Sequence, residues 1–191
     1  MPRRIVITGG PGGGKSTFHR NLLAGNPERL LGVPEVATLM FAHVFPQVAN
    51  LAERRAVQSA IFHVQKNLEA VFEARATSAQ ILLCDRGTPD GGGYWPEGPD
   101  AFFLAMGSNW TEELTRYEAV LFLQSAACGG LAIHEGNHTR SEDLATAAHI
   151  DKRLYDVWSR HPRFVHVPVQ ANIAEKLAFA GKAMSELLDT L

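Results

Sequence analysis

The chain has 191 residues and is 46% hydrophobic, which suffices for one sizeable core and is too short for two ordinary domains. Its 18 basic and 20 acidic residues leave a net charge of −2, so it lacks the basic field with which non-specific nucleic-acid binders gather phosphates. The sequence has no membrane-length apolar stretch, the run Ile5-Val6-Ile7 behind the charged start is too short for a signal peptide, and Cys84 and Cys128 are too few for a disulfide framework. The expectation is therefore a soluble cytoplasmic protein with no nucleic-acid or membrane partner.

In chain order, residues 4–8 form a β-branched run that predicts a buried strand, and 15–24 read as the helix that follows it. Residues 30–34 are a weaker strand, diluted by Gly32 and Pro34. A long helix is predicted over 51–76, with Val57, Ile61, Val64, Leu68, Val71 and Phe72 as its sheet-facing stripe. A strand at 80–84 precedes a Gly-rich irregular stretch at 86–99. A strand at 119–123 precedes a second irregular stretch at 124–140. The chain then reads as a helix at 141–160, a strand at 164–167 and a helix at 172–188. Strands alternating with helices of this length imply parallel pairing, so the predicted fold is one three-layer α/β/α domain over 1–191 with a five-stranded parallel sheet. Both irregular stretches follow strands and should emerge at the carboxyl edge of the sheet, where open α/β folds bind ligands.

Gly9-Gly10-Pro11-Gly12-Gly13-Gly14-Lys15-Ser16 fits G-x-x-x-x-G-K-[ST] between a predicted strand and a predicted helix, the context that motif requires. From Gly10, Pro11, Gly12, Gly13 and Gly14 the backbone can turn its N–H groups around phosphate oxygens, and the helix start adds favourable partial charge. Lys15 is placed to neutralise β- and γ-phosphate oxygens, Ser16 to coordinate Mg²⁺ and Thr17 to support the neighbouring phosphate; ATP with Mg²⁺ is the expected ligand pair. The apolar strand Ile81-Leu82-Leu83-Cys84 ends in Asp85, a second residue for the metal. A competing signal is His134-Glu135-Gly136-Asn137-His138, which matches the H-E-x-x-H of zinc hydrolases. That motif works on a helix, and Gly136, Asn137 and the preceding Gly129-Gly130 disfavour one.

The stretch Asp85-Arg86-Gly87-Thr88-Pro89-Asp90-Gly91-Gly92-Gly93-Tyr94-Trp95 resembles the D-R-G-x-x-D-x-x-x-Y-[W/L] segment of a family of P-loop ATPases and kinases related to the nicotinamide-riboside kinase domain of bifunctional NAD regulators. The resemblance extends to 4–17, to Val33-Pro34-Glu35-Val36-Ala37 and to Thr139-Arg140-Ser141-Glu142. It implies a nucleoside/nucleotide kinase-like fold and transfer of the γ-phosphoryl group of ATP to a hydroxyl of a small, nucleoside-like acceptor. It also implies roles for individual residues. Glu35 would be general base or substrate anchor, Asp85 would orient metal or acceptor, and Arg86 and Arg140 would stabilise charge on the transferring group, Arg140 from a lid around 124–142. Asp90, Tyr94 and Trp95 would line the acceptor pocket, and the loop at 169–172 would meet the adenine. The chain departs from the family pattern in the three glycines after Asp90 and in the scarcity of arginine over 126–137. The alternative within the same nucleotide chemistry is a regulatory ATPase without an acceptor; acceptor-dependent turnover separates the two.

Overall fold

Five short strands, Arg4–Thr8 (β1), Leu30–Val33 (β2), Ile81–Asp85 (β3), Ala119–Leu123 (β4) and Phe164–Val167 (β5), pair in parallel in the order β2-β3-β1-β4-β5. The structure is a computed structural model that describes residues 2–130 and 143–191. Burial along each strand follows its place in the sheet. β3 and β4 are buried at every residue and β1 at all but Arg4, whereas β2 and β5 are only partly covered. Parallel strands covered on both faces need continuous apolar runs, and edge strands do not, which explains why 30–34 carried the weakest strand signal.

The helices are Lys15–Gly25 (α1), Val36–His43 (α2), Leu51–Arg75 (α3), Asp90–Tyr94 (α4), Pro99–Ala105 (α5), Trp110–Leu114 (α6), Leu144–Trp158 (α7) and Ile173–Asp189 (α8), with a 3₁₀ turn at Ala126–Gly129. Strand alternation divides the core. Ile5, Ile7, Leu83, Leu121 and Leu123 pack with Met184 of α8 and Phe18 of α1. Val6, Leu82, Cys84, Val120 and Phe122 pack on the opposite face with Leu154 and Trp158 of α7 and Leu68 and Phe72 of α3. This is the three-layer parallel α/β fold the sequence predicts.

Three sequence expectations change. The Gly-rich stretch 86–99 is not wholly irregular, because Asp90–Tyr94 makes a helical turn. Glycine disfavours helices in isolation, but here the bare backbone permits close packing: a Cβ on Gly93 would stand 2.6 Å from Leu154 Cδ2, and one on Gly91 would overlap the Phe102 ring. The face of α3 is also rotated from the expected stripe. Val64 and Val71 are exposed, while Gln58, Gln65 and Glu69 are buried, because α3 turns a polar strip toward a buried network. Within 124–140, residues 126–129 form the 3₁₀ turn, and 131–142 lie outside the described residues. No described helix is long and apolar enough to cross a membrane.

Candidate active site

The loop between β1 and α1 follows a path that demands glycine. Gly9, Gly12 and Gly14 have φ of 129°, 70° and 84°. A Cβ on Gly13 would lie 2.6 Å from the Leu123 carbonyl oxygen and one on Gly10 2.6 Å from Asp151 Oδ1, so the loop rests directly on β4 and α7. Helices α3, α6, α7 and α8 each start with an Asn or Asp side chain capping a backbone N–H, namely Asn50, Asn109, Asp143 and Asn172. Helix α1 starts with Gly14, which has no side chain to supply such a cap. Its first-turn N–H groups keep the partial positive charge of a helix start, the arrangement that binds anions.

Lys15 is buried and donates from Nζ to the Gly10 carbonyl at 2.6 Å, inside the loop. Burial, and then the nearby Arg86, lower its pKa to about 8, opposed by Glu35, Asp85 and Asp90. Ser16 and Thr17 are exposed on the first turn of α1. Asp85 ends β3 directly across from Ile7 of β1, since no strand intervenes between β3 and the strand that feeds the loop. Its carboxylate is buried, and Oδ1 has no hydrogen-bond partner among the described residues. Burial and then the Glu35 charge push its pKa up, while Lys15, His19 and Arg86 pull it down. A glycine cradle, an inward lysine, an uncapped helix start and an unpartnered carboxylate oxygen together suit a polyphosphate and a divalent cation. Lys15 and the loop would hold the phosphates, and Ser16 and Asp85 would hold the metal.

Behind Asp85 the chain turns at Arg86, the one described non-glycine residue with positive φ, 72°. A side chain in this region is strained by about 1–3 kcal/mol and persists only where its surroundings hold it. Here the Arg86 N–H extends the β1 ladder to the Ile7 carbonyl at 2.9 Å, and the Thr88 N–H donates to the Tyr117 hydroxyl at 2.8 Å. That hydroxyl donates to buried Glu69, which also receives Gln65 and Arg116, while Thr88 Oγ1 donates to buried Glu113 at 2.6 Å. Glu69 and Glu113 are fully buried carboxylates that the sequence reading missed, and their work is to hold this turn.

The guanidinium of Arg86 is heavily engaged. Nε donates to Glu35 Oε1 and Nη1 to Asp90 Oδ2, both at 2.6 Å, with a longer contact from Nη1 to the Gly9 carbonyl at 3.4 Å. Glu35 is the N-cap residue of α2, and its other oxygen accepts from Thr38 Oγ1 at 2.6 Å. Asp90 Oδ1 accepts from Thr8 Oγ1 at 2.8 Å and Trp158 Nε1 at 2.6 Å. Lys15, Glu35, Asp85, Arg86 and Asp90 thus converge from separate parts of the chain, with Arg86 and Asp90 joining the phosphate loop to α4 and α7.

Beside this cluster is a cavity of about 550 Å³ between α2, α3, α4 and the start of α7, and Arg86, Asp90 and Tyr94 are part of its wall. Trp95 is not. Its ring packs with Phe102 in a separate apolar cluster, and its carbonyl accepts from Arg153, so it anchors the loop instead of lining the pocket. Arg140 and the His134-Glu135-x-x-His138 motif lie outside the described residues.

Sequence reading also missed Asp151 of α7. Its Oδ1 accepts the Gly10 N–H at 2.7 Å and the Ser125 N–H at 2.8 Å, and Oδ2 faces Cys128 Sγ at 3.3 Å. A carboxylate inside an amphipathic helix carries no local sign of such a role. The loop at 169–172 is tied back by the Val169 N–H, which donates to Gln124 Oε1 at 3.2 Å, and Lys176 Nζ donates to the Gln124 carbonyl.

A family model described as AAA domain matches residues 4–176, from β1 into α8. No curated protein matches the chain.

Proposed function

The chain belongs to the AAA domain family, a group of P-loop nucleotide-binding NTPases, and from that premise we propose that it is a Mg²⁺-dependent kinase transferring the γ-phosphoryl group of ATP to a hydroxyl of a small molecule. The observation that carries this reading is the 550 Å³ cavity, a chamber of substrate size that shares Arg86 and Asp90 with the cluster around Lys15. A bare hydrolase needs room only for water.

In this reading Lys15, the loop N–H groups and the start of α1 bind the β- and γ-phosphates, and Ser16 and Asp85 bind Mg²⁺, which when bound neutralises phosphate charge. The acceptor oxygen forms the new bond to the γ-phosphorus, the bond from that phosphorus to the bridging oxygen breaks, and ADP leaves. Glu35 takes the hydroxyl proton, exchanging one of its present hydrogen bonds to do so, and passes it to water. Arg86 fixes Glu35 in position and supplies positive charge near the transferring group. Arg140 is proposed as a second source of that charge, Tyr94 as a face of the acceptor pocket, and 169–172 as the adenine loop. The resemblance to the nicotinamide-riboside kinase family supports the same chemistry.

A second reading, a regulatory ATPase, is favoured by one observation: both Glu35 oxygens are engaged, by Arg86 and Thr38, as in a resting lock. ATP consumption with Mg²⁺ across nucleosides, nucleotides, sugars and apolar alcohols decides between them, with Lys15→Ala as the blank. Stimulation by one acceptor establishes the kinase, and Glu35→Gln should then bind ATP normally yet transfer no phosphoryl group. Slow ATP loss indifferent to every acceptor rejects the kinase reading.

A further inference from the structure

Three charged residues belong to the cavity wall, Arg54, Arg86 and Asp90, and two of them neutralise each other. Arg86 gives Nη1 to Asp90 Oδ2 and Nε to Glu35 Oε1, both at 2.6 Å, so the charge of its guanidinium is already compensated at the inner end. Arg54 stands at the other end. It is exposed at the mouth with Gln47 and Thr146, and it makes no hydrogen bond or ion pair with any described residue.

The acids on the adjoining segments are engaged elsewhere. Glu53 turns back to the start of α3, where it accepts from the Ala49 N–H and from Asn50 Nδ2, both at 2.7 Å. Glu97 pairs with Arg55. Asp143 caps α7 by accepting the Thr146 N–H at 2.7 Å. What Arg54 has beside it is a second cation. Arg153 shares a face of α7 with Thr146 and Ile150 of the cavity wall and donates to the Trp95 carbonyl. Burial, and then the Arg54 charge, hold Arg153 below the usual guanidinium range. Neighbouring guanidiniums repel, and an anion bound across them removes that cost while gaining charge-assisted hydrogen bonds.

We infer that this cavity takes an elongated acidic acceptor, with a phosphate or carboxylate held at the mouth by Arg54 and Arg153 and a hydroxyl at the inner end beside Arg86 and Glu35. A neutral nucleoside would leave the charge of Arg54 unanswered. The inference rests on the kinase reading for the fate of the hydroxyl, whereas the acidic group follows from the uncompensated charge at the mouth. Arg54, Gln58, Ile61 and Gln65 recur at helical spacing on the cavity face of α3, a stripe about 16 Å long. It ends at the turn of Arg86, whose carbonyl accepts from Gln65 at 3.5 Å, so a ligand touching both ends must be extended. A volume of 550 Å³ lies within the range of pockets that enclose drug-sized ligands. Between the ends, the Gln58 amide is buried in the wall with no hydrogen-bond partner among the described residues, and it can donate to the body of the ligand or accept from it.

The test uses the full chain with Mg²⁺ and saturating ADP, which occupies the phosphate loop so that a second anion reports on the cavity. The dye anilinonaphthalene sulfonate and its uncharged parent, phenylnaphthylamine, share one fluorescent body and differ by the sulfonate. The expected result is saturable binding of the sulfonate, tighter than that of the neutral dye. Arg54→Gln should weaken sulfonate binding about threefold to tenfold and leave the neutral dye unchanged. Arg75→Gln, the same change of charge at the exposed far end of α3, should alter neither. Added salt should weaken the wild-type protein toward the Arg54→Gln value. ATP consumption is then compared over matched acceptors: nucleosides against their monophosphates, sugars against sugar phosphates, and hydroxy acids against their amides. The acidic member of one pair should have the lower KM, and Arg54→Gln should erase that difference with little change in kcat. Whether a phosphate or a carboxylate pair responds identifies the anion.

Charge-dependent binding and a lower KM for an acidic acceptor, both lost in Arg54→Gln, support the acidic end and the kinase together. Charge-dependent dye binding with no acceptor-stimulated ATP consumption supports the acidic end and rejects the kinase. Neutral acceptors turned over with a KM at least as low as that of their acidic partners overturn this inference and leave the kinase standing. Dye binding that shows no preference for the sulfonate, or that ignores Arg54→Gln, overturns it as well.

Discussion

Asp90→Asn is nearly isosteric, yet the three donors around it make the substitution expensive in a way that can be worked out. Oδ2 accepts Arg86 Nη1 at 2.6 Å, while Oδ1 accepts Thr8 Oγ1 at 2.8 Å and Trp158 Nε1 at 2.6 Å. If the new amide oxygen stays with Thr8 and Trp158, its NH₂ faces the Arg86 guanidinium, donor against donor. If the amide flips to give its oxygen to Arg86, the NH₂ can donate to the Thr8 hydroxyl but collides with the Trp158 N–H. Either way one buried donor is left unmade and a charge-assisted bond is lost or weakened, a cost of about 2–4 kcal/mol. Trp158→Phe removes the conflicting donor, so in that background the flipped amide satisfies both remaining groups. Asp90→Asn should then cost less by about 1–2 kcal/mol. The assay is equilibrium urea unfolding of the four proteins of the cycle, compared at a common slope. Costs that add to within about 0.5 kcal/mol would refute the hydrogen-bond assignment at Asp90.

Three further outcomes follow from the same geometry. Gly93→Ala, whose Cβ would stand 2.6 Å from fully buried Leu154, should destabilise by about 1–3 kcal/mol, whereas Gly181→Ala in α8, with nothing within 4 Å, should stabilise by about 0.5–1 kcal/mol. The two thermal midpoints should move in opposite directions. Asp151→Ala strands the Gly10 and Ser125 N–H groups and should cost about 2–5 kcal/mol with a loss of nucleotide affinity, while Asp151→Asn keeps an acceptor for both and should cost about 1 kcal/mol. Urea unfolding and nucleotide titration of the pair would show that order; equal effects would contradict it. Burial and the Asp151 carboxylate raise the exposed Cys128 thiol from 9.0 to about 11, so at pH 8 its thiolate fraction, and with it the alkylation rate by iodoacetamide, should be on the order of 100-fold below that of an unperturbed thiol. The rate should climb as pH rises toward 11 and should increase in Asp151→Asn; a midpoint near 9 would contradict the assignment.

The contrast between these residues shows what could be read locally. The phosphate loop was legible because its chemistry is contiguous: glycines, a lysine and a hydroxyl within a few residues, between a strand and a helix. Asp151 was not, because it meets Gly10 from 141 positions away, and nothing in α7 distinguishes it from any solvated aspartate. Glu35, Arg86 and Asp90 were each picked out singly, but their mutual pairing was invisible. The resemblance suggested Arg86 as a phosphate clamp, whereas in the structure two of its nitrogens bind Glu35 and Asp90.

The sequence by itself determined the strands, their parallel pairing and the phosphate loop, since hydrophobic runs and a helix-opening glycine loop are properties of neighbouring residues. Tertiary structure decided the rest. It made a helical turn of Gly91-Gly92-Gly93, because close contact with Phe102 and Leu154 outweighs weak intrinsic propensity. It turned the polar strip of α3 inward, because Glu69 and Gln65 there satisfy buried donors and acceptors around Arg86 and Tyr117. It also built the cavity beside the cluster, because its walls come from helices that meet only once the sheet has formed. Packing and charge pairing between distant residues depend on which surfaces the fold brings together, and local pattern does not encode that.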